Sequence, residues 1–178
     1  GRCLHSPEGT GHAPFRRVHK GGSVRVPFIQ PVLITAPAAG SDFALTCRGG
    51  ELWRVISFTF QFVTDANVAN RAVALAADDA TSVFWRAGPA ALQAAGQTSQ
   101  YVAADGFGSA QTTGGVSSYP LPTLGMWLQS GWSLRSVADQ IQVGDQFSAI
   151  VALVQRFDTG PNADVRAVIS STSQMEGA

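Results

Sequence analysis

Leu52–Thr64 reads LWRVISFTFQFVT, and its alternation decides the fold. Split by parity, Leu52, Arg54, Ile56, Phe58, Phe60, Phe62 and Thr64 share one face; Trp53, Val55, Ser57, Thr59, Gln61 and Val63 share the other. The first set is nearly all large and apolar. That is what the core-facing side of a strand requires, because successive strand side chains point to opposite faces of a sheet.

Toward the C-terminus, DANVANR makes a polar connection to AVALAA. AVALAA reads as a strand because DDATS closes it like a hairpin turn and VFWRA answers it. Alanine and leucine also favour helix in NRAVALAADD, but the segment is short and its neighbours are strand-like. A helical turn is expected only in GPAALQAAGQ. TSQYVAA and VSSYPLP read as further strands, separated by the loop DGFGSAQTTGG. TLGMWLQSG is a connection carrying large apolar groups, and the strands WSLRSV and FSAIVALVQRF flank the turn region ADQIQVGDQ. There Gly144 is expected at a cheap positive φ, Asp145 in an Asx-type turn bond with Gln146 beside it, and Arg135 facing solvent or a neighbour. Toward the N-terminus, FALTC is a short strand between the turns PAAGSD and RGGE. VRVPFIQPVLITA, interrupted by Pro27 and Pro31, reads as an edge strand, since proline donates nothing to a ladder.

Short strands recurring roughly every ten to twelve residues with almost no helix specify a sandwich or barrel. The expected fold is all-β: a jelly-roll-like antiparallel β-sandwich with an extended N-terminal arm. Phe58, Phe60, Phe62, Leu75, Phe84, Tyr101, Leu134, Phe147, Ile150 and Val154 are its expected core. Residues 1–22, with no periodic apolar pattern, form the arm; residues 23–158 form the sandwich; residues 159–178 form a tail in which ADVRAVIS could add one strand.

A chain of 178 residues fits one such domain with its extensions. Charged residues make up 13%, against about 25% in ordinary globular domains. The formal net charge is zero, which favours association. The cationic residues of the arm and its exit, Arg2, Arg16, Arg17, Lys20 and Arg25, face only Glu8, a net +4. That density is too low for a nucleic-acid tail and suits an acidic protein surface, so Arg16, Arg17, Lys20 and Arg25 are candidate partner contacts. Cys3 and Cys47 form no CxxC pair; two free thiols are expected, a bridge between them being out of place in a reducing cytosol. No apolar run approaches the ~20 residues that span a bilayer. The opening segment lacks the apolar core of a secretory signal, and Gly1 reads as the product of Met removal or precursor trimming.

Catalytic machinery is not expected. His5, His12 and His19 all lie in the arm, and no histidine follows, so neither a Ser-His-Asp arrangement nor a histidine-ligated metal can be assembled in the sandwich. Asp78 and Asp79 are adjacent, hence on opposite faces of a strand, and fit a hairpin turn. Asp139 and Asp145 flank QIQVG and read the same way. GFGSAQTTGG lacks the lysine and helix of a phosphate-binding loop. No cofactor is implied. Trp127 and Trp132, beside Met126 and Leu128, are candidate interface residues, a role favoured over sugar stacking.

Two runs carry a resemblance: GGELWRVISFTFQFVTDANVANRAVALAADDATSVFWRAG and YPLPTLGMWLQSGWSLRSVADQIQVGDQFSAIVALVQRF. Their W-x-V strand, ANR connection, DD hairpin, and L-x-x-G-W-x-L-x-S to GDQ-x-S-x-I finish resemble small structural proteins of tailed bacteriophages. The similarity spans residues 49–157, roughly three fifths of the chain, and rests on packing and turn signatures. It implies a non-enzymatic virion protein, foremost a capsid decoration or cement protein, bound to the major capsid protein or other virion proteins as a homo-oligomer, with a trimer favoured. Such a protein sits on the capsid surface and is assembled in the host cytoplasm. The alternative it leaves open is a neck, tail or fibre-associated protein with lectin-like glycan binding.

Overall fold

The computed structural model describes residues 27–88, 91–107, 111–122 and 125–159. The arm, with Arg16, Arg17, Lys20, Cys3 and the three histidines, lies outside the described residues, as does Arg25 just beyond it. So does the tail beyond Thr159, with its expected extra strand.

The described residues form twelve strands and no helix: β1 (Phe28–Ile34), β2 (Ala44–Thr46), β3 (Glu51–Val63), β4 (Arg71–Asp78), β5 (Val83–Ala87), β6 (Leu92–Gln93), β7 (Thr98–Ala104), β8 (Gln111–Thr113), β9 (Val116–Pro120), β10 (Met126–Leu128), β11 (Ser133–Asp139) and β12 (Gln146–Asp158). GPAALQAAGQ therefore supplies the short strand β6 rather than a helical turn, and the TLGMWLQSG connection contains β10. A seven-stranded sheet runs β1-β12-β3-β7-β9-β8, with β10 sharing the β7 edge of β3. A five-stranded sheet runs β2-β11-β4-β5, with β6 also on β4. All pairs are antiparallel except β7 with β9. Pro31 sits on β1, at the edge of the larger sheet, where its missing donor is harmless.

The two sheets pack as a sandwich around an aromatic core. Phe58, Phe60 and Phe62 of β3 are fully buried, with Phe147 of β12 and Phe43 just ahead of β2. Phe147 stacks on Phe62 at 4.4 Å and meets Phe43 edge-on at 5.0 Å, so one ring from the smaller sheet locks into those of the larger. The Tyr101 ring lies parallel to Phe60 at 4.8 Å.

Simple alternation fails at three places, each at a bulge. In β3 the core face passes from Phe58 to Val55 and Trp53, and Ile56 is displaced from it. Leu153 pairs with Ser57 and Val154 with Val55, leaving Ile56 as the extra residue. In β12 the extra residue falls at Ala149–Ile150, opposite Phe60, and Ala149 takes φ 48°. The two bulges sit on partner strands and cancel, so both ends of the β3–β12 pair keep one register. In β5, Trp85 pairs with Ala77 and Val83 with Asp78, so Phe84 is the extra residue. Phe84 is consequently 47% exposed instead of belonging to the core, and leans on the Trp132 ring at 4.8 Å.

Candidate docking face

The polar residues near the turns are committed to structure. Arg71 opens β4 with its side chain fully buried. Its Nε and Nη2 donate to the two Asp145 carboxylate oxygens at 2.9 and 3.0 Å. Nη2 also donates to Asp65 Oδ1 at 2.5 Å, and Nη1 to the Asn67 and Ala69 carbonyls at 2.8 and 2.7 Å. Asp145 further accepts from the Asp65 and Gln142 backbone N–H groups at 2.8 and 2.7 Å. Burial alone would raise the Asp145 carboxyl; the Arg71 hydrogen bonds, the two backbone donors and the Arg71 charge outweigh it and hold it below its ordinary value. Asp145 does bond the backbone of its turn, but at Gln142, three residues before it, rather than two residues on as an Asx turn requires, and its larger role is to pin the start of β12 to the β3–β4 connection. Gly144 does not adopt a positive φ. It is needed for space: a Cβ there would lie 2.8 Å from Asp65 Oδ2.

Asp78 and Asp79 do turn chemistry. Asp79 Oδ1 accepts from the Thr81 and Ser82 backbone N–H groups and the Thr81 hydroxyl at 2.9, 2.7 and 2.6 Å. Those bonds, from the Thr81 hydroxyl first, lower its pKa. Asp78 accepts from Arg135 Nε at 2.6 Å, so Arg135 is tied to the neighbouring strand rather than simply facing solvent. Among the described residues no group of three or more His, Cys, Asp or Glu could hold a metal ion, and no helix is long and apolar enough to cross a membrane. Cys47 is a buried free thiol, pushed up to about 12 by burial and then by the Glu51 charge.

Among the described residues, the ladders leave open the outer face of the seven-stranded sheet. Three of the rungs that cross it are Leu33, Val151, Thr59, Val102 and Ser118; Pro31, Leu153, Ser57, Ala104 and Pro120; and Ile29, Gln155, Arg54 and Trp127. Arg54 carries the single charge in these rungs. Leu33 is 78% exposed and Ile29 58%, and the remaining positions are half-buried apart from exposed Pro31. The opposite outer face differs: the rung Ala44, Arg135, Ala76, Arg86 carries two cations. An extended apolar and neutral sheet face, bordered by exposed aliphatic side chains, is the kind of patch that marks an interaction surface.

The tryptophans separate. Trp127 lies on this face, its ring 5.4 Å from Phe157. Trp132 precedes β11 of the other sheet, half-buried against the core and Phe84. The two do not form one patch. Sequence reasoning missed Leu33, Leu153 and Val151; the odd-numbered positions of VPFIQPVLI carried a signal, but nothing in the residue order says which face stays uncovered.

No protein family, no curated protein and no solved structure matches this chain.

Proposed function

We propose that the chain is a non-enzymatic structural protein of a tailed-phage virion, a decoration protein that seats the outer face of its seven-stranded sheet on the head lattice. The observation that carries this reading is the three-rung face running from Leu33 to Trp127 with one charged residue. Removing apolar area from water is worth about 25 cal/mol per Å2, and a nearly uncharged face loses little to desolvation on docking. The low charge content of the chain and the resemblance of residues 49–157 to phage structural proteins support the same reading. The basic arm adds a second contact. Arg16, Arg17, Lys20 and Arg25 would meet acidic surface on an adjacent capsid subunit, and two linked contacts bind far more tightly than either alone. Assembly as a homotrimer would multiply the gain again.

The test is binding to undecorated heads of the phage that encodes the chain, read by co-sedimentation and cryo-EM. The wild-type chain should give density at repeated lattice positions. Leu33→Lys with Leu153→Lys should weaken binding at least about tenfold while the thermal transition is retained, and deletion of residues 1–22 should weaken it without unfolding the sandwich. Density confined to neck, tail or fibres would move the function to the alternative virion role, and absence from the particle would sink the virion reading.

A further inference from the structure

The seven-stranded sheet has a second feature, on its inner side. β6 is only two residues long and pairs with just Arg71 and Ala72 of β4. Between β6 with its following turn and the ends of β7, β8 and β9, the sandwich opens into a cleft of about 400 Å3. That lies within the range of small-molecule sites, roughly 300–1,000 Å3.

The floor of the cleft is a fixed polar layer. Tyr101 Oη donates to Gln93 Oε1 at 2.9 Å, and Gln93 Nε2 donates to the Phe62 and Gln97 carbonyls at 3.0 and 2.9 Å. Gln93 is 3% exposed, and the Tyr101 ring is held by parallel stacking on Phe60 and Tyr119. One wall carries the Thr112–Ser117 hydroxyl pair, 2.9 Å apart, and the Ser99 hydroxyl. Ala91 and Leu92 border the cleft, the Leu92 side chain being turned to the outer face because Gln93 beside it on β6 points inward.

Among the described residues, no charged side chain lines the cleft. A phosphate or carboxylate would enter without a counter-charge, and a purely apolar ligand would cover hydroxyls and amides without replacing their hydrogen bonds to water. Hydroxyl and amide groups that both donate and accept match a neutral ligand that does the same at several positions. We infer that this cleft binds a neutral pyranose sugar, its hydroxyls on the Ser99, Thr112 and Gln97 wall. The sugar is either a free monosaccharide or one residue of a polysaccharide chain. The site is separate from the docking face, and the inference does not depend on the virion reading.

The experiment is an amide-resolved NMR titration of the full chain with glucose, galactose, mannose and N-acetylglucosamine, each to about 50 mM, in the weak-binding range above 1 mM. A glucose heptasaccharide and glucuronate serve as further probes. At least one neutral probe should shift the Leu92, Gln93, Ser99 and Ser117 amides saturably. Tighter binding of the heptasaccharide than of glucose assigns a polysaccharide source; equal affinity assigns the free sugar. Ser99→Phe, which fills the cleft, and Gln97→Ala, which trims its exposed rim, should each weaken the response about tenfold, whereas Leu33→Lys should not alter it. Absence of shifts at these amides with every neutral probe overturns the inference, as does stronger binding of glucuronate.

Discussion

Arg71 is held by every donor it has. Its five N–H groups meet Asp145, Asp65 and two backbone carbonyls, and Asp145 in turn accepts two backbone N–H groups. A buried ion pair contributes little beyond a well-packed apolar replacement, but removing one partner strands the other charge away from water. Arg71→Met should therefore lower the thermal midpoint by about 10 °C, and the double variant Arg71→Met, Asp145→Leu should recover part of that loss. Scanning calorimetry of both variants decides the matter; a single variant as stable as wild type would contradict the network's role. Asp145 was legible from VGDQ as a turn residue, because bonds from a side chain to nearby backbone are local, although the one it makes is to Gln142 before it rather than of the Asx type. Its partners Arg71 and Asp65 were not, since they lie 74 and 80 residues away along the chain.

At the scale of elements, strand identity follows from alternation and turn residues, which is why LWRVISFTFQFVT and FSAIVALVQRF could be placed from their own letters. Bulges break this reading because they depend on the partner strand. Ile56 looks like a core residue by parity and is displaced, while Val55 and Trp53 take its face. Phe84 is the same case in β5. The consequence is measurable in two aromatic truncations. Phe60→Ala, at a site with no solvent exposure and a parallel Tyr101 ring, should cost about 3–5 kcal/mol. Phe84→Ala, which loses one partly exposed contact with Trp132, should cost about 1 kcal/mol or less. Urea denaturation of the two variants gives both numbers, and equal losses would place Phe84 in the core after all.

For the whole molecule, the Arg71 network joins the start of β12, in the larger sheet, to the first residue of β4, in the smaller one, so its protonation state bears on the sandwich as a unit. The folded pKa of Asp145 lies below its ordinary 3.8. The unfolded chain therefore takes up this proton first as pH falls. The stabilisation is complete above that range and is lost as pH descends through the folded value. Asp79, lowered by its turn bonds, acts in the same direction. Tryptophan fluorescence followed from pH 7 to pH 2 should show stability level above about pH 5 and falling below about pH 4. Asp145→Asn should flatten that dependence; an unchanged acid limb would assign it to other carboxylates.

The residue order alone determined that this chain is all-β, where most of its strands lie, which residues turn the DD hairpin, and that Phe58, Phe60, Phe62 and Phe147 are core. These follow from local physics: period-two alternation, the conformational preferences of Gly, Pro and Asp, and the hydrophobic effect acting on a single strand. Only the tertiary structure decided the rest. The sheet order, the parallel β7–β9 pair, the compensating bulges, the Arg71–Asp145 pin, the uncharged outer face and the cleft beside β6 are all relations between distant segments. A strand's sequence says which of its sides is apolar. What lies against each side is set by which strands it pairs with, and that is settled only when the two sheets close on each other.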